Sequence, residues 1–395
     1  MSKVRFLEKG TKIEAFKTPD HMNELKNVPE RVIVFLIDGL HWKAPDKLKM
    51  PVFSNLLREG TYIQKSWMIL PHHPTVGDYG KMHTCSFPNP VLQEGTLFIK
   101  RGNKMIQDMF PAGQTTAFIT NTIAYSSVSR GFNIAIQNPN MTDAEVVDQG
   151  IDLMQRYDLR YCRMHLQTPG NEGRYLSYTS PDKPYYRNIW GNESPYVKYI
   201  EEADQHLGKL IDYLKNSGKW ESTLLIISSD QGQSEKGWHP MIEEDSGITP
   251  LLFLGPTIAK GKVLSYFEHT DLTPTISHLM GIEKPNQDGG SGNFIDAILE
   301  TTTARQDRPQ YIKVINQQIN EYNTLRAKII LAGDSNPYYS SLISYLENEL
   351  LTPEPFYHQD RFTEWHLAGN TKHLIEVNSQ ILDQMRNELT KMNIN

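Results

Sequence analysis

Two short apolar runs, each followed by an aspartate and a small turn, most constrain how this chain folds. The first, residues 31–37, is rich in β-branched and aromatic residues and leads directly into Asp38-Gly39. The second, residues 222–227, is followed by Ser229-Asp230-Gln231-Gly232. A run that is apolar on both faces is typical of a strand buried inside a parallel sheet. The sequence therefore predicts a sheet covered on both sides, with an aspartate after each of two buried strands.

Strands and helices alternate along residues 1–300. Further strands are predicted at residues 115–120, 160–166 and 250–254. Amphipathic helices are predicted at residues 51–60, 143–157 and 199–215. This alternation predicts an α/β fold, a three-layer sandwich with a mostly parallel central sheet. Residues 301–395 have helical periods at 312–329 and 372–389, which predict a helical C-terminal extension packed on the α/β domain.

Composition argues against several classes of partner. The chain has 395 residues and a formal net charge of -6, without a dense Lys/Arg stripe, so nucleic acid is not expected as a partner. A membrane is not expected either, because no apolar run is long enough to cross a bilayer. Cys85 and Cys162 lie outside any CxxC pattern, and the N-terminal segment lacks the apolar core of a secretion signal. These features predict a cytoplasmic protein, or a secreted one if a signal peptide has been removed.

The two aspartates are candidate metal ligands. Functional groups collect at the carboxyl ends of strands in an open parallel sheet, where Asp38 and Asp230 are predicted to lie. A carboxylate is a hard oxygen ligand suited to Mg²⁺, Ca²⁺, Mn²⁺ or Zn²⁺. The alternative for each aspartate taken alone is a helix cap or a turn former.

A polar segment, residues 71–78, lies between the two aspartates and contains a candidate nucleophile. Thr75 and Asp78 have the spacing of a capping box, which predicts that Thr75 lies at a helix N-terminus. Free N–H groups there attract an anionic group, and a neighbouring cation activates a hydroxyl. The alternative is that Thr75 only caps a helix.

These segments, in this order, resemble the alkaline phosphatase superfamily, especially its nucleotide pyrophosphatase/phosphodiesterase and sulfatase branches. The resemblance runs over residues 32–298. Its motifs are the helix at 51–60, the segment Thr84-Cys85-Ser86-Phe87-Pro88 that closes the nucleophile region, the turn at 230–232, and the segments 248–256 and 269–276. The resemblance implies the fold of that superfamily. It also implies that Asp38, Thr75 and Asp230 surround one metal ion and that Thr75 attacks phosphorus or sulfur.

Several positions depart from the family pattern. Gln231 stands where the family usually has a histidine, and its amide oxygen suits a hard cation better than zinc. The predicted cofactor is therefore one divalent cation, with Ca²⁺, Mg²⁺ or Mn²⁺ favoured over Zn²⁺. The Asp-x-x-x-His pair that phosphodiesterases use for a second metal is absent from residues 164–174. Arg174 is predicted to bind an anionic oxygen in its place.

The remaining predicted site residues carry over from the resemblance or lie near its nucleophile. His239 falls where phosphodiesterase-type members place a late histidine, and it is predicted to be a ligand or general acid. Asp78 stands where those members have a substrate-binding asparagine, and Lys81 and His73 are predicted to offset its charge at the substrate.

The predicted function is metal-dependent hydrolysis of a small-molecule phosphate or sulfate ester with a threonine nucleophile. One alternative is a catalytically weak or inactive family member that binds an anion or another ligand. Another is transfer of a phosphoethanolamine or phosphoglycerol group rather than hydrolysis.

Overall fold

The first apolar run forms the strand β1 (Arg31–Ile37), which lies in the middle of a nine-stranded sheet, and all seven of its residues are buried. It pairs in parallel with β7 (Leu159–Leu166) on one side and with β8 (Thr223–Ser228) on the other. The prediction of a buried parallel strand is confirmed.

The computed structural model describes residues 28–68, 82–85, 93–94, 98–99, 102–240, 243–285, 292–302, 309–333, 338, 341–342 and 371–392. Four of the predicted site residues lie outside the described residues: His73, Thr75, Asp78 and Lys81.

The sheet also contains β2 (Thr61–Trp67), β5 (Thr115–Thr120), β6 (Ile134–Gln137), β9 (Ile248–Leu254), β10 (Lys262–Leu264) and β11 (Phe267–Glu268). A separate two-stranded sheet pairs β3 (Gln93–Glu94) with β4 (Phe98–Ile99). The strand order in the large sheet is β10-β2-β9-β8-β1-β7-β5-β6, and β11 also pairs with β2. In the described part of this sheet, β9 is antiparallel to both neighbours and the other pairings are parallel. The predicted mostly parallel sheet is confirmed.

Helices cover both faces of the sheet. They are α1 (Ala44–Lys47), α2 (Pro51–Leu56), α3 (Asp143–Arg156), α4 (Thr168–Leu176), α5 (Pro195–Asn216), α6 (Leu272–Leu279), α7 (Tyr311–Gly333) and α8 (Thr371–Lys391). Alternate residues of β1 enter two different cores: Ile33 and Phe35 pack with α3 and α5, whereas Val32 and Val34 pack with α6. The three-layer arrangement follows from this alternation, because successive side chains of a strand point to opposite faces.

The helix α5 shows how its sequence produces packing. Ile200, Leu207 and Leu214 recur at helical spacing and are fully buried against the sheet. Burying a side chain of this size contributes about 1.5–3 kcal/mol relative to leaving it exposed. The helix begins at Pro195, four residues before the predicted start at 199, because the fixed φ of proline suits the first turn of a helix.

The C-terminal helices form an extension that contacts the sheet. Residues of α7 pack with Trp67 and Ile248, and the side-chain amide of Asn316 donates to the Met68 carbonyl oxygen at 2.8 Å. Further along, α7 and α8 share their own apolar cluster. The predicted helical extension is confirmed. Among the described residues, no helix combines the length and the apolar character required to cross a membrane.

Candidate metal centre

The two predicted strand-end aspartates lie side by side. The register of the sheet pairs Leu36 of β1 with Ser228 of β8, and Asp38 and Asp230 each follow two residues later. The Asp38 and Asp230 side chains are buried, with exposed fractions of 1% and 0%. His165, near the end of β7, joins them, and the three residues offer ligand atoms that all lie within 4.8 Å of one another. Within this group, the carboxylate oxygens of Asp38 and Asp230 suit a divalent cation.

The hydroxyl of Tyr125 links the two carboxylates. Its Oη donates to Oδ2 of Asp230 at 2.5 Å and lies 3.1 Å from Oδ2 of Asp38. The shorter distance is typical of a charge-assisted O–H···O⁻ hydrogen bond. The Tyr125 ring is 1% exposed and lies against the His165 ring, with a centroid separation of 4.3 Å. Tyr125 therefore belongs to the buried centre of the site.

Two further side chains approach the same oxygen of Asp38. The Nε2 atom of His165 lies 3.0 Å from Oδ2 of Asp38, and the Nε2 amide of Gln167 donates to that oxygen at 2.9 Å. Carboxylates that accept several hydrogen bonds are held in one orientation and favoured in their charged form. These contacts fix how the Asp38 carboxylate faces Asp230.

The protonation state of His165 decides whether its Nε2 atom donates a hydrogen bond to Asp38 or binds a metal ion. Burial, together with the neighbouring Arg163 guanidinium, lowers the pKa of His165 to about 3 against the opposing effect of Asp230. The imidazole is therefore neutral at neutral pH and carries one N–H. Arg163 lies 3.5 Å from Nδ1 of His165, and a guanidinium can only donate. The proton therefore belongs on Nε2, where it is donated to Asp38, and His165 positions that carboxylate.

Arg163 connects this centre to the short segment Met82–Cys85. Its side chain is buried on β7, and its guanidinium contacts Nε2 of His83. Burial and the adjacent Arg163 charge hold the pKa of His83 well below its ordinary value, so His83 accepts from the guanidinium. A continuous polar chain therefore runs from His83 through Arg163 and His165 to Asp38.

The first turn of α4 packs directly on the Asp38 carboxylate. A Cβ atom added at Gly170 would lie only 1.6 Å from Oδ1 of Asp38. A carboxylate at this position also benefits from the positive end of the helix dipole. Gly170 lies in residues 164–174, which lack the Asp-x-x-x-His pair, and Asp38 already occupies the space that a side chain at position 170 would need.

The other predicted residues separate into two groups. Gln231 is buried beside the carboxylates, and its Nε2 atom lies 3.5 Å from Oδ1 of Asp38. Arg174 and His239 instead both contact the side chain of Trp238. The Arg174 guanidinium is 4.6 Å from the Trp238 ring centroid, and the buried His239 ring stacks on the same indole at 3.9 Å. The structure thus brings Gln231 to the aspartates and groups Arg174 with His239.

Sequence reasoning missed four residues of this site. Tyr125, His165 and Gln167 contact Asp38, and Arg163 contacts His165. Arg163 and His165 did carry a signal, because they alternate on one face of a strand that is otherwise mainly apolar. Tyr125 carried none, since it lies in a turn-rich stretch distant in sequence from both aspartates.

The protein is therefore a three-layer α/β sandwich. Its buried carboxylates lie at the carboxyl edge of the sheet and form a candidate metal-binding site. Residues 107–282 match the Sulfatase family model. The choline-sulfatase of Rhizobium meliloti (strain 1021) is 35% identical over 112 residues, which are 26% of this chain and 22% of that protein. The bis(5'-adenosyl)-triphosphatase of Bos taurus is 21% identical over 268 residues, which are 65% of this chain and 56% of that protein.

The fold is also found in solved structures. The phosphonate monoester hydrolase from Silicibacter pomeroyi superposes with a TM-score of 0.54 at 17% identity, covering 71% of this chain and 78% of that one. Residues 107–282 are thus a Sulfatase family-model domain, and the fold is that of the phosphonate monoester hydrolase. It spans 22% and 56% of the lengths of the two curated relatives described above.

Proposed function

We propose that this protein is a metal-dependent hydrolase of small-molecule phosphate or sulfate esters. The observation that carries the proposal is the pair of buried carboxylates, Asp38 and Asp230, which lie together at the carboxyl edge of the sheet in a chain whose residues 107–282 match the Sulfatase family model.

Buried like charges need a compensating cation. Two carboxylates within a few ångströms of each other repel, and burial away from water makes each of them costly. One divalent cation between Asp38 and Asp230 would relieve both effects, with Gln231 turned to offer its amide oxygen and Thr75 as a further ligand. Oxygen donors of this kind favour Ca²⁺, Mg²⁺ or Mn²⁺, with Zn²⁺ also able to bind. When bound, the cation would supply Lewis-acid polarisation of the ester and of the nucleophile.

Side chains of the protein would act as the nucleophile and the general acid of the reaction. In the proposed reaction, the Thr75 hydroxyl loses its proton to solvent and its oxygen forms a bond to phosphorus or sulfur as the bond to the ester oxygen breaks. The leaving alcohol takes a proton from His239, the assigned general acid, which regains one from solvent. Water then attacks the phospho- or sulfo-threonine: its oxygen and one proton leave with the phosphate or sulfate product, and its other proton restores the Thr75 hydroxyl.

The anionic ester would be held by charged and polar side chains. Arg174 is assigned to an ester oxygen because a guanidinium binds such oxygens bidentately. Lys81, His73 and Asp78 are assigned to binding the same substrate, with Lys81 and His73 offsetting the charge of Asp78.

The names of the similar proteins described above support this substrate class. They denote a sulfatase, a triphosphatase and a phosphonate monoester hydrolase, which share a tetrahedral anionic centre in the substrate.

Ester hydrolysis after metal exchange tests the proposal. The purified chain would be stripped of metal, then assayed with bis-p-nitrophenyl phosphate and p-nitrophenyl sulfate after addition of Mn²⁺, Ca²⁺, Mg²⁺ or Zn²⁺. We expect turnover only after metal addition, its loss in Thr75→Ala and its partial return in the matched Thr75→Ser variant. Turnover that survives chelation, or that Thr75→Ala leaves unchanged, would overturn the mechanism.

A further inference from the structure

We infer that the C-terminal helix α7 supports the candidate metal centre by bracing the metal turn, Asp230-Gln231-Gly232, through the linking segment, residues 245–248. The inference rests on the proposed metal-dependent function, and it assigns a role to a helix that lies outside the residues matching the Sulfatase family model. The residue of α7 that carries this role is Asn316, a positioning residue that acts through the backbone rather than on the cation.

The linking segment packs directly on the metal turn. The Gly232 N–H donates to the Ser246 carbonyl oxygen at 3.0 Å. A Cβ atom added at Gly232 would lie 1.9 Å from the carbonyl oxygen of Asp245 and 2.6 Å from that of Ile248. Because the two backbones are hydrogen-bonded and in close contact, a shift of the linking segment displaces the metal turn.

The same segment is held by α7 in two ways. The buried side chain of Ile248 packs in an apolar cluster that includes Ile315 of α7. The Asn316 side-chain amide donates to the Met68 carbonyl oxygen at 2.8 Å, and the Met68 N–H donates to the Gly247 carbonyl oxygen at 2.9 Å. Asn316 and Met68 are both buried, and a buried acceptor left without its donor is costly. Asn316 therefore fixes Met68 and, through it, the linking segment.

A continuous path of contacts thus leads from α7 to the metal turn. It runs from Asn316 to Met68, then through the linking segment to Gly232, which directly follows Asp230 and Gln231. Groups that orient metal ligands without binding the metal typically change its affinity by roughly ten- to a hundredfold. The positions of the two predicted ligands therefore depend on the docking of α7.

The same helix offers a matched comparison. Gln318 lies two residues after Asn316 and is also buried, with an exposed fraction of 7%. Its side-chain amide donates to the Ile375 carbonyl oxygen at 2.9 Å and to the Ser379 hydroxyl at 3.0 Å, both on α8. Loss of the Gln318 amide therefore weakens the pairing of α7 with α8 but removes no contact to Met68.

Manganese titration of Asn316→Leu and Gln318→Leu beside the wild type tests the inference. Calorimetry of the metal-free full chain measures Mn²⁺ affinity, chemical denaturation measures stability, and hydrogen exchange monitors the Gly232 N–H. We expect both variants to lose stability, but only Asn316→Leu to bind Mn²⁺ about tenfold more weakly and to exchange the Gly232 N–H faster. If Asn316→Leu does not fold, Asn316→Ser carries the same expectation, because its shorter side chain withdraws the donor from Met68.

The outcomes separate the role of α7 from the proposed function. Unchanged Mn²⁺ affinity in the Asn316 variant, or an equal loss in Gln318→Leu, overturns the role of α7 and leaves the proposed hydrolase intact. A wild type that binds Mn²⁺ but hydrolyses no ester overturns the hydrolase, whereas a loss of affinity confined to the Asn316 variant still supports the role of α7. A wild type that does not bind Mn²⁺ overturns both.

Discussion

Gly170 lies against the carboxylate of Asp38, so close that a Cβ at this position would lie 1.6 Å from Oδ1. The contact joins the first turn of α4 to the end of β1, the two elements that enclose one side of the candidate metal centre. A single hydrogen at this position is thus what allows Asp38 to face Asp230.

Adding one methyl group at Gly170 is expected to displace Asp38. We predict that Gly170→Ala weakens Mn²⁺ binding at least tenfold, because the carboxylate must turn away from Asp230. Calorimetric titration of the metal-free protein measures this effect. The control is Gly102→Ala, since among the described residues nothing lies within 4 Å of a Cβ added there. Equal metal affinity in Gly170→Ala and the wild type would show that Asp38 does not bind the ion from its observed position.

Asp204 of α5 accepts hydrogen bonds from the backbone N–H groups of Val52 and Phe53, at 3.0 Å and 2.8 Å. These hydrogen bonds go to the start of α2 rather than to Asp38 or Asp230, and removal of the carboxylate leaves two N–H groups without their acceptor. We predict that Asp204→Ala lowers the free energy of unfolding by about 2–3 kcal/mol while metal affinity stays unchanged. Chemical denaturation measures the loss, with exposed Asp212→Ala on the same helix as control. A fall in metal affinity without a fall in stability would contradict this assignment.

His41 and Asp245 connect the loops that follow β1 and β8. Nε2 of His41 lies 3.4 Å from Oδ2 of Asp245, and the Trp42 indole donates to Oδ1 at 2.7 Å. Burial acts to raise the pKa of Asp245, but the adjacent His41 ring, the hydrogen bond from Trp42 and the nearby Lys43 charge outweigh it and lower that pKa to about 2.

The stabilisation from Asp245 is therefore predicted to depend on pH. A carboxylate with a lowered pKa contributes fully above its unfolded value of 3.8, and the contribution is lost as pH falls from there to about 2. We expect Asp245→Asn to be less stable than the wild type at neutral pH and nearly equal to it below pH 2. Thermal unfolding of both proteins across this range checks the convergence. A constant difference in stability at all pH values would exclude Asp245 as the source.

The positions of the two aspartates could be predicted because both depend on local sequence. A short run rich in apolar and β-branched residues favours a buried strand, and Asp38 and Asp230 come one and two residues after such strands. Parallel pairing then places residues at equal offsets side by side, as the register of Leu36 with Ser228 does here. The fold class followed from the same local patterns.

The surroundings of the aspartates could not be predicted, because they depend on contacts between distant segments. His165 reaches Asp38 only because the register pairs it with Leu36. Tyr125 reaches both carboxylates from the turn-rich stretch between β5 and β6, which has no repeating pattern. Thr75 lies outside the described residues, and its role as the nucleophile stays a prediction.

Metal dependence of ester hydrolysis in Asp230→Asn, beside the wild type, tests the central claim most directly. The substitution keeps the size of the side chain but removes one of the two buried charges that would hold the cation. Turnover of bis-p-nitrophenyl phosphate or p-nitrophenyl sulfate is expected to appear in the wild type on adding Mn²⁺ and to fall at least a hundredfold in Asp230→Asn, with Mn²⁺ binding weakened in parallel. Wild-type turnover that needs no metal, or an Asp230→Asn variant that binds Mn²⁺ and hydrolyses esters as the wild type does, would contradict it.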